Sequence, residues 1–226
     1  KAKVYFSKIK RFGRFIKTPG YTIAFMGTDG SGKTTVIDGI TDPLKEAVHN
    51  MLFYEHMRPN LIPSIAQLLG KNKQDGPVKN PHMSKSSGTL VSFLRLIYYS
   101  FDYIFGYWLK LYPVMVKKSS IWIFDRYYYD YLIDPKRARI NLPEWIVKGV
   151  MMLIPKPDLI ICLGAKPGVI HNRKPELPLD EVKRQVNKLK IFCESEKNAI
   201  WIDTGLNQDH TLQMVYEVII NKMALR

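Results

Sequence analysis

The chain has 226 residues, 46% of them hydrophobic and 24% charged, with a net charge of +14 and only two cysteines. That apolar share supplies a real core, so wholesale disorder, a collagen repeat and a small disulfide scaffold are excluded. The length suits one domain with an insertion, and the basic excess points to phosphorylated ligands, nucleic acid or an anionic membrane surface.

The excess is unevenly spread. Lys1, Lys3, Lys8, Lys10, Arg11, Arg14 and Lys17 lie in residues 1–20, with no acid among them, and carry half of the +14. On a helical wheel Tyr5, Ile9, Phe12 and Ile16 share one face, and Lys3, Lys10, Arg14 and Lys17 share the opposite one. This pattern predicts an interfacial amphipathic helix over residues 1–18, attracted to an anionic membrane at about 1 kcal/mol per basic residue. Packing of the same apolar stripe on protein is the alternative. Helix-turn-helix, zinc-finger and RNA-recognition patterns are absent from the sequence, so no nucleic-acid partner is expected. Cys162 and Cys193 sit in apolar runs and read as buried thiols in a reducing compartment. With no apolar leader stretch at the N-terminus, the expected location is the cytoplasm, peripheral at the inner face of the membrane.

From residue 21 onward, short apolar runs alternate with helical patterns. Tyr21–Met26 reads as a strand running into a Gly-rich turn, and Lys33–Asn50 as a helix with a break at Thr41-Asp42-Pro43. Met51–His56 is a second strand, and residues 70–89 are rich in Gly, Pro, Lys and Ser and read as a loop. Leu90–Val116 carries only Arg95, Asp102 and Lys110 as charges; Asp102 near its middle argues for a long buried helix, kinked at Pro113, rather than a membrane span. Ile121–Phe124 is a third strand, and Leu142–Ile154 a helix opened by Pro143. Leu159–Leu163 is a fourth strand. Pro178–Glu196 is an amphipathic helix with Val182, Val186, Leu189 and Phe192 at helical spacing. Ala199–Ile202 is a fifth strand and Asp209–Met223 a last helix. Strands separated by helices predict an α/β domain over residues 21–226, with a five-stranded parallel sheet sandwiched by helices.

Gly27-Thr28-Asp29-Gly30-Ser31-Gly32-Lys33-Thr34 fits the phosphate-binding pattern G-x-x-x-x-G-K-[ST] between a strand and a helix. Gly27, Gly30 and Gly32 let backbone N–H groups turn inward around phosphate oxygens, with Ser31 and Thr35 completing the cradle. The helix N-terminus adds the positive end of its dipole. Lys33 would reach the β- and γ-phosphates of ATP, and the Thr34 hydroxyl would ligate Mg2+. Ile121–Asp125 is a Walker-B-like strand, whose terminal Asp125 would hold Mg2+ directly or through water. Phosphoryl transfer requires positioning and charge neutralisation, so arginines are expected nearby: Arg126 at the strand end, Arg58 before Pro59, Arg137, Arg139, and Arg173 in a loop, His171–Pro178, able to close as a lid. Asp130 is a candidate general base for a hydroxyl acceptor, or else an ion-pair partner of Arg137 or Arg139.

Over roughly residues 21–222 the sequence resembles the thymidylate kinase family, P-loop kinases of nucleoside monophosphates with a lid. The carriers are GTDGSGKTT, Asp125-Arg126-Tyr127, the lid-region loop and the Asp203-Thr204-Gly205 turn. The resemblance implies that Asp29 contacts the acceptor sugar hydroxyl or its water and that Arg126 and Arg58 hold the acceptor phosphate. It also implies homodimers. Tyr99 and Asp102 match the base-binding aromatic and acid of the long helix, while Tyr103 stands where the family reads the base with an Arg. Loss of that donor removes a strong source of discrimination. The string DRYYYDYLIDPKR, with RKPEL further on, is closer to a divergent branch that accompanies bacterial surface-polysaccharide genes. Three readings stay open: a kinase of a nucleoside monophosphate such as dTMP, a kinase of a sugar or glycan hydroxyl, and a non-catalytic nucleotide-binding module.

Overall fold

The computed structural model describes residues 18–68, 88–205 and 207–225. The amphipathic segment, apart from residues 18–20, and nearly all of the 70–89 loop lie outside these. Five strands, β1 (Tyr21–Met26), β2 (Leu52–His56), β3 (Ile121–Asp125), β4 (Leu159–Gly164) and β5 (Ala199–Asp203), form one parallel sheet in the order β2-β3-β1-β4-β5. The three central strands are continuous apolar runs because helices cover both of their faces. The edge strands β2 and β5 are only part-buried.

Side chains alternate between two cores, as the two-residue period of a strand requires. Ile23, Phe25, Ile121, Ile123, Ile161 and Leu163 pack with α1 (Lys33–Ala47) and the C-terminal helix α9 (Gln208–Ala224). Ala24, Met26, Trp122, Phe124, Ile160 and Cys162 face the other way, onto α3 (Thr89–Gly106), which follows the short α2 (Ile65–Leu68). That second core also takes in α4 (Tyr112–Lys117), the tyrosine turn leading into α5 (Asp130–Ile133), α6 (Glu144–Met151) and α8 (Leu179–Ser195). The remaining helix, α7 (Pro167–Arg173), lies between β4 and α8.

Several expectations change in detail. Pro43 does not break α1, because Ile40 and Leu44 on either side of it are locked in the core. The long helix departs from α geometry at Tyr107–Leu111, a wider π-helical turn, ahead of Pro113. Gly106, just before it, lies so close to the residue 57–62 loop that a Cβ there would sit 2.4 Å from Pro59. Nor is this helix buried throughout. Leu96, Asp102 and Tyr103 point into the core, while Leu90, Leu94, Phe101, Phe105, Trp108 and Leu109 are exposed. Among the described residues, no helix is long and apolar enough to cross a membrane.

Candidate active site

β1 runs into the Gly-rich loop at residue 27, and α1 starts at Lys33. Gly30 and Gly32 both have φ +82, backbone that L side chains rarely adopt. The Lys33 ammonium is buried and donates to the Gly27 and Thr28 carbonyls at 2.8 and 2.9 Å, closing the loop on itself. Burial, and then the neighbouring Arg126 charge, lower its pKa from 10.5 to about 7. Thr28 Oγ1 and Ser31 Oγ are buried without a hydrogen-bond partner. Such groups are costly unless something pairs with them. Thr34 and Thr35 are exposed on the first turn of α1.

The parallel register sets His56 beside Asp125. His56 Nδ1 lies 3.4 Å from Asp125 Oδ2, and the Tyr54 hydroxyl donates to the same oxygen at 3.3 Å. Asp125 Oδ1 is buried and has no partner. Burial alone would raise the Asp125 pKa, but the His56 hydrogen bond and the Lys33 charge outweigh it, and the carboxylate sits below its ordinary value. One orphaned carboxylate oxygen fits a Mg2+ that takes most of its ligands from phosphates and water. Tyr54 and His56 escape the motif search. The signal that could have found them is the parallel pairing of an edge strand ending in His with one ending in Asp.

Beyond the phosphate loop, Arg126 occupies the left-handed region at φ 72, its N–H donating to the Phe25 carbonyl at 2.9 Å. Strain of this kind in a non-glycine residue persists only where surrounding contacts hold it. The contacts are two carboxylates. Nη1 lies 2.9 Å from both oxygens of Asp130, and Nη2 lies 2.7 Å from Asp29 Oδ1. Arg137 Nη1 takes the other Asp29 oxygen at 2.5 Å. Burial would raise the Asp29 pKa, but Arg126 and Arg137 hold it well below the carboxylate range. Asp130, 2% exposed, bonds Arg126 through both of its oxygens.

Asp102 and Tyr103, expected among the substrate contacts, lie inside the protein beneath the site. Both are 0% exposed. Asp102 accepts from Arg58 Nη1 at 2.8 Å and from the backbone N–H groups of Asn60, Leu61 and Ile62 at 3.1, 2.8 and 3.0 Å. It organises the 57–62 loop, in which Met57 and Asn60 have positive φ. The Tyr103 hydroxyl donates to the Met57 carbonyl, and its ring packs edge-on against Tyr127, Tyr128 and Tyr131. With an apolar ring in a tyrosine core, residue 103 supports the site from beneath. Arg58 lies over the part-buried Tyr99 ring at 4.4 Å and covers one of its faces.

The lid-region loop is shorter than the sequence implies, since residues 171–173 complete α7. A Cβ on Gly30 would sit 2.9 Å from the Ile170 carbonyl, so α7 packs over the tip of the phosphate loop. Arg173 Nη2 donates to the Thr204 carbonyl at 2.9 Å. Its guanidinium thus ties α7 to the turn after β5.

Comparison with protein-family models finds no match, and none is found among curated protein sequences. Among solved structures, thymidylate kinase from Ehrlichia chaffeensis is similar over 88% of this chain and 98% of its own, with a TM-score of 0.61 and 15% sequence identity. At that identity the likeness concerns the fold, which is that of a thymidylate kinase-like P-loop α/β protein.

Proposed function

We propose that the chain is an ATP- and Mg2+-dependent phosphotransferase, whose acceptor lies between Arg126 and the Arg58–Tyr99 pair. The observation that carries this reading is the set of buried, unpaired polar atoms (Thr28 Oγ1, Ser31 Oγ and Asp125 Oδ1) around the buried Lys33 ammonium. Thr34 and Asp125 would hold Mg2+, which when bound supplies charge neutralisation on the transferring phosphate. Lys33 and the loop N–H groups bind the phosphates and hold them in line. Asp29, fixed by Arg126 and Arg137, orients the acceptor. Lys33, Thr34 and Asp125 together supply the charge neutralisation that transfer needs, which favours an enzyme over a purely binding module.

Two acceptor classes follow. Likeness of fold favours a nucleoside monophosphate such as dTMP. The pairing of Arg126 with Asp130 favours a sugar or glycan hydroxyl of the kind used in surface-polysaccharide synthesis. ATP consumption screened against dTMP, other nucleotides, free sugars and oligosaccharides separates them. Turnover with a hydroxyl acceptor and not with dTMP supports the second class, fast turnover with dTMP the first, and no ATP binding at all overturns the phosphotransferase reading.

We also propose that residues 1–18 hold the protein at an anionic membrane, on the strength of their opposed basic and apolar faces. Their removal is expected to abolish cosedimentation with anionic vesicles while ATP affinity stays the same. Unchanged vesicle binding would count against it.

A further inference from the structure

We propose that Asp130 determines the acceptor class: it neutralises Arg126 from within the protein, so that this end of the site receives an uncharged hydroxyl and rejects a phosphate dianion. The proposal rests on the phosphotransferase reading above and adds to it the charge of the group that the acceptor presents.

Arg126 bonds Asp29 and Asp130, and Arg137 bonds Asp29, in one linked group of two cations and two anions. Asp134, 3% exposed and one turn beyond Asp130, places a further carboxylate near Arg126. Arg58 is likewise matched, its guanidinium bonded to Asp102 and stacked on Tyr99. The arginines positioned for an acceptor phosphate are therefore already balanced by buried carboxylates. The side chains of Arg126 and Asp130 are 4% and 2% exposed, so water screens their attraction little.

A dianion could reach Arg126 only in two ways. It could displace Asp130, leaving a buried carboxylate without its cation, which is the costly way to break such a pair. Or it could sit beside both carboxylates and be repelled by them. A hydroxyl meets neither obstacle. A guanidinium has five N–H donors, and a carboxylate about four acceptor positions, so both groups can bond a hydroxyl without releasing each other. Asp29, at 14% side-chain exposure the more open of the two acids on Arg126, is placed to accept a hydrogen bond from the hydroxyl. In the transfer step the acceptor oxygen bonds to the γ-phosphorus, and the bond from that phosphorus to the bridging oxygen of ADP breaks. The hydroxyl proton passes to water, since Asp29 is held too acidic to keep it and orients the hydroxyl instead.

The test is a gain of binding, which a merely structural role for Asp130 would not produce. dTMP affinity is measured by calorimetry on the full chain for wild type, Asp130→Asn and Asp130→Ser. ATP affinity in the same samples reports separately on folding and on the donor end. The expected result is no saturable dTMP binding below the millimolar range in wild type, and binding at least about tenfold tighter (1.4 kcal/mol) once the carboxylate is removed. Micromolar dTMP binding by wild type overturns the proposal unaided, and so does unchanged or weaker dTMP binding in a variant that still binds ATP. The serine variant keeps the test available where the amide does not fold. Loss of ATP binding in wild type would remove the phosphotransferase reading and leave the dTMP comparison to stand as a test of the charge balance alone.

Discussion

The donor and acceptor ends of the cleft share Asp29 and Arg126 as a border, yet they treat polar groups in opposite ways. At the donor end, Thr28 Oγ1, Ser31 Oγ and Asp125 Oδ1 are buried without partners, and Lys33 donates to two carbonyls of its own loop. Those groups are prepared for a ligand that supplies the missing bonds. At the acceptor end, Arg58, Arg126, Asp29, Asp102 and Asp130 all bond one another or nearby backbone. That end is stable without a ligand, and a ligand must match the bonds already made. The difference teaches that the glycine-rich loop leaves buried polar groups for a ligand to pair, whereas the arginine–carboxylate network is complete by itself.

If the acceptor end is a self-sufficient polar network, breaking its centre must cost stability. Asp102→Ala removes the acceptor of four hydrogen bonds and leaves the buried Arg58 cation unpaired. The expected loss is about 3–5 kcal/mol of unfolding free energy, the range for a broken buried ion pair. Urea titration reads it, and a loss under about 1 kcal/mol would mean that the network is not what holds residues 57–62.

The same contrast explains what was legible in the sequence. The phosphate loop of the donor end is written in nine consecutive residues, 27–35, and local geometry suffices to interpret them. The acceptor end pairs Arg58 with a residue 44 positions away, and Asp29 with residues 97 and 108 positions away. Only the strand order β2-β3-β1 brings those segments together, and no spacing rule records it. Alternation of strands and helices gave the sheet and its layers. It could not reveal that Tyr103 turns inward, because an aromatic residue on a long helix fits a core as well as a cleft. Asp130 was visible as an acid near the transfer site, but its partner depends on the left-handed turn at Arg126, for which the sequence carries no glycine as a marker.

The donor end should respond to mutation through chemistry and not through stability. Lys33→Ala removes a buried cation aimed at the loop and is expected to lower the transfer rate by about 10²–10³-fold, the typical result of deleting one preorganised donor. Its unfolding free energy should change little or rise, because the burial of an ammonium is relieved. A stopped assay of ADP formation with any acceptor found in the screen measures the rate. Retained activity would separate the phosphate loop from the reaction.

The smallest effect concerns protons, and it distinguishes the two ends without a mutation. Burial lowers the Lys33 pKa to about 7, whereas the unfolded chain keeps the ordinary value of 10.5. Between those values the unfolded chain holds a proton that the folded one has released, so folding becomes more favourable as pH rises from about 7 to 10.5. Nucleotide binding has the opposite sign. Phosphate requires the charged ammonium, so above pH 7 binding must take up a proton at Lys33, and ATP affinity is expected to fall by up to about tenfold per pH unit towards pH 9. Calorimetry of ATP binding in two buffers of different ionisation heat would show that uptake at pH 8 and its loss at pH 6. The acceptor end contributes no such change, because Asp29 is held below the carboxylate range by its arginines and stays ionised throughout. A flat ATP affinity between pH 7 and 9 would mean that the folded-back ammonium retains its proton, and that its two carbonyl contacts outweigh the burial that otherwise makes this end depend on a ligand.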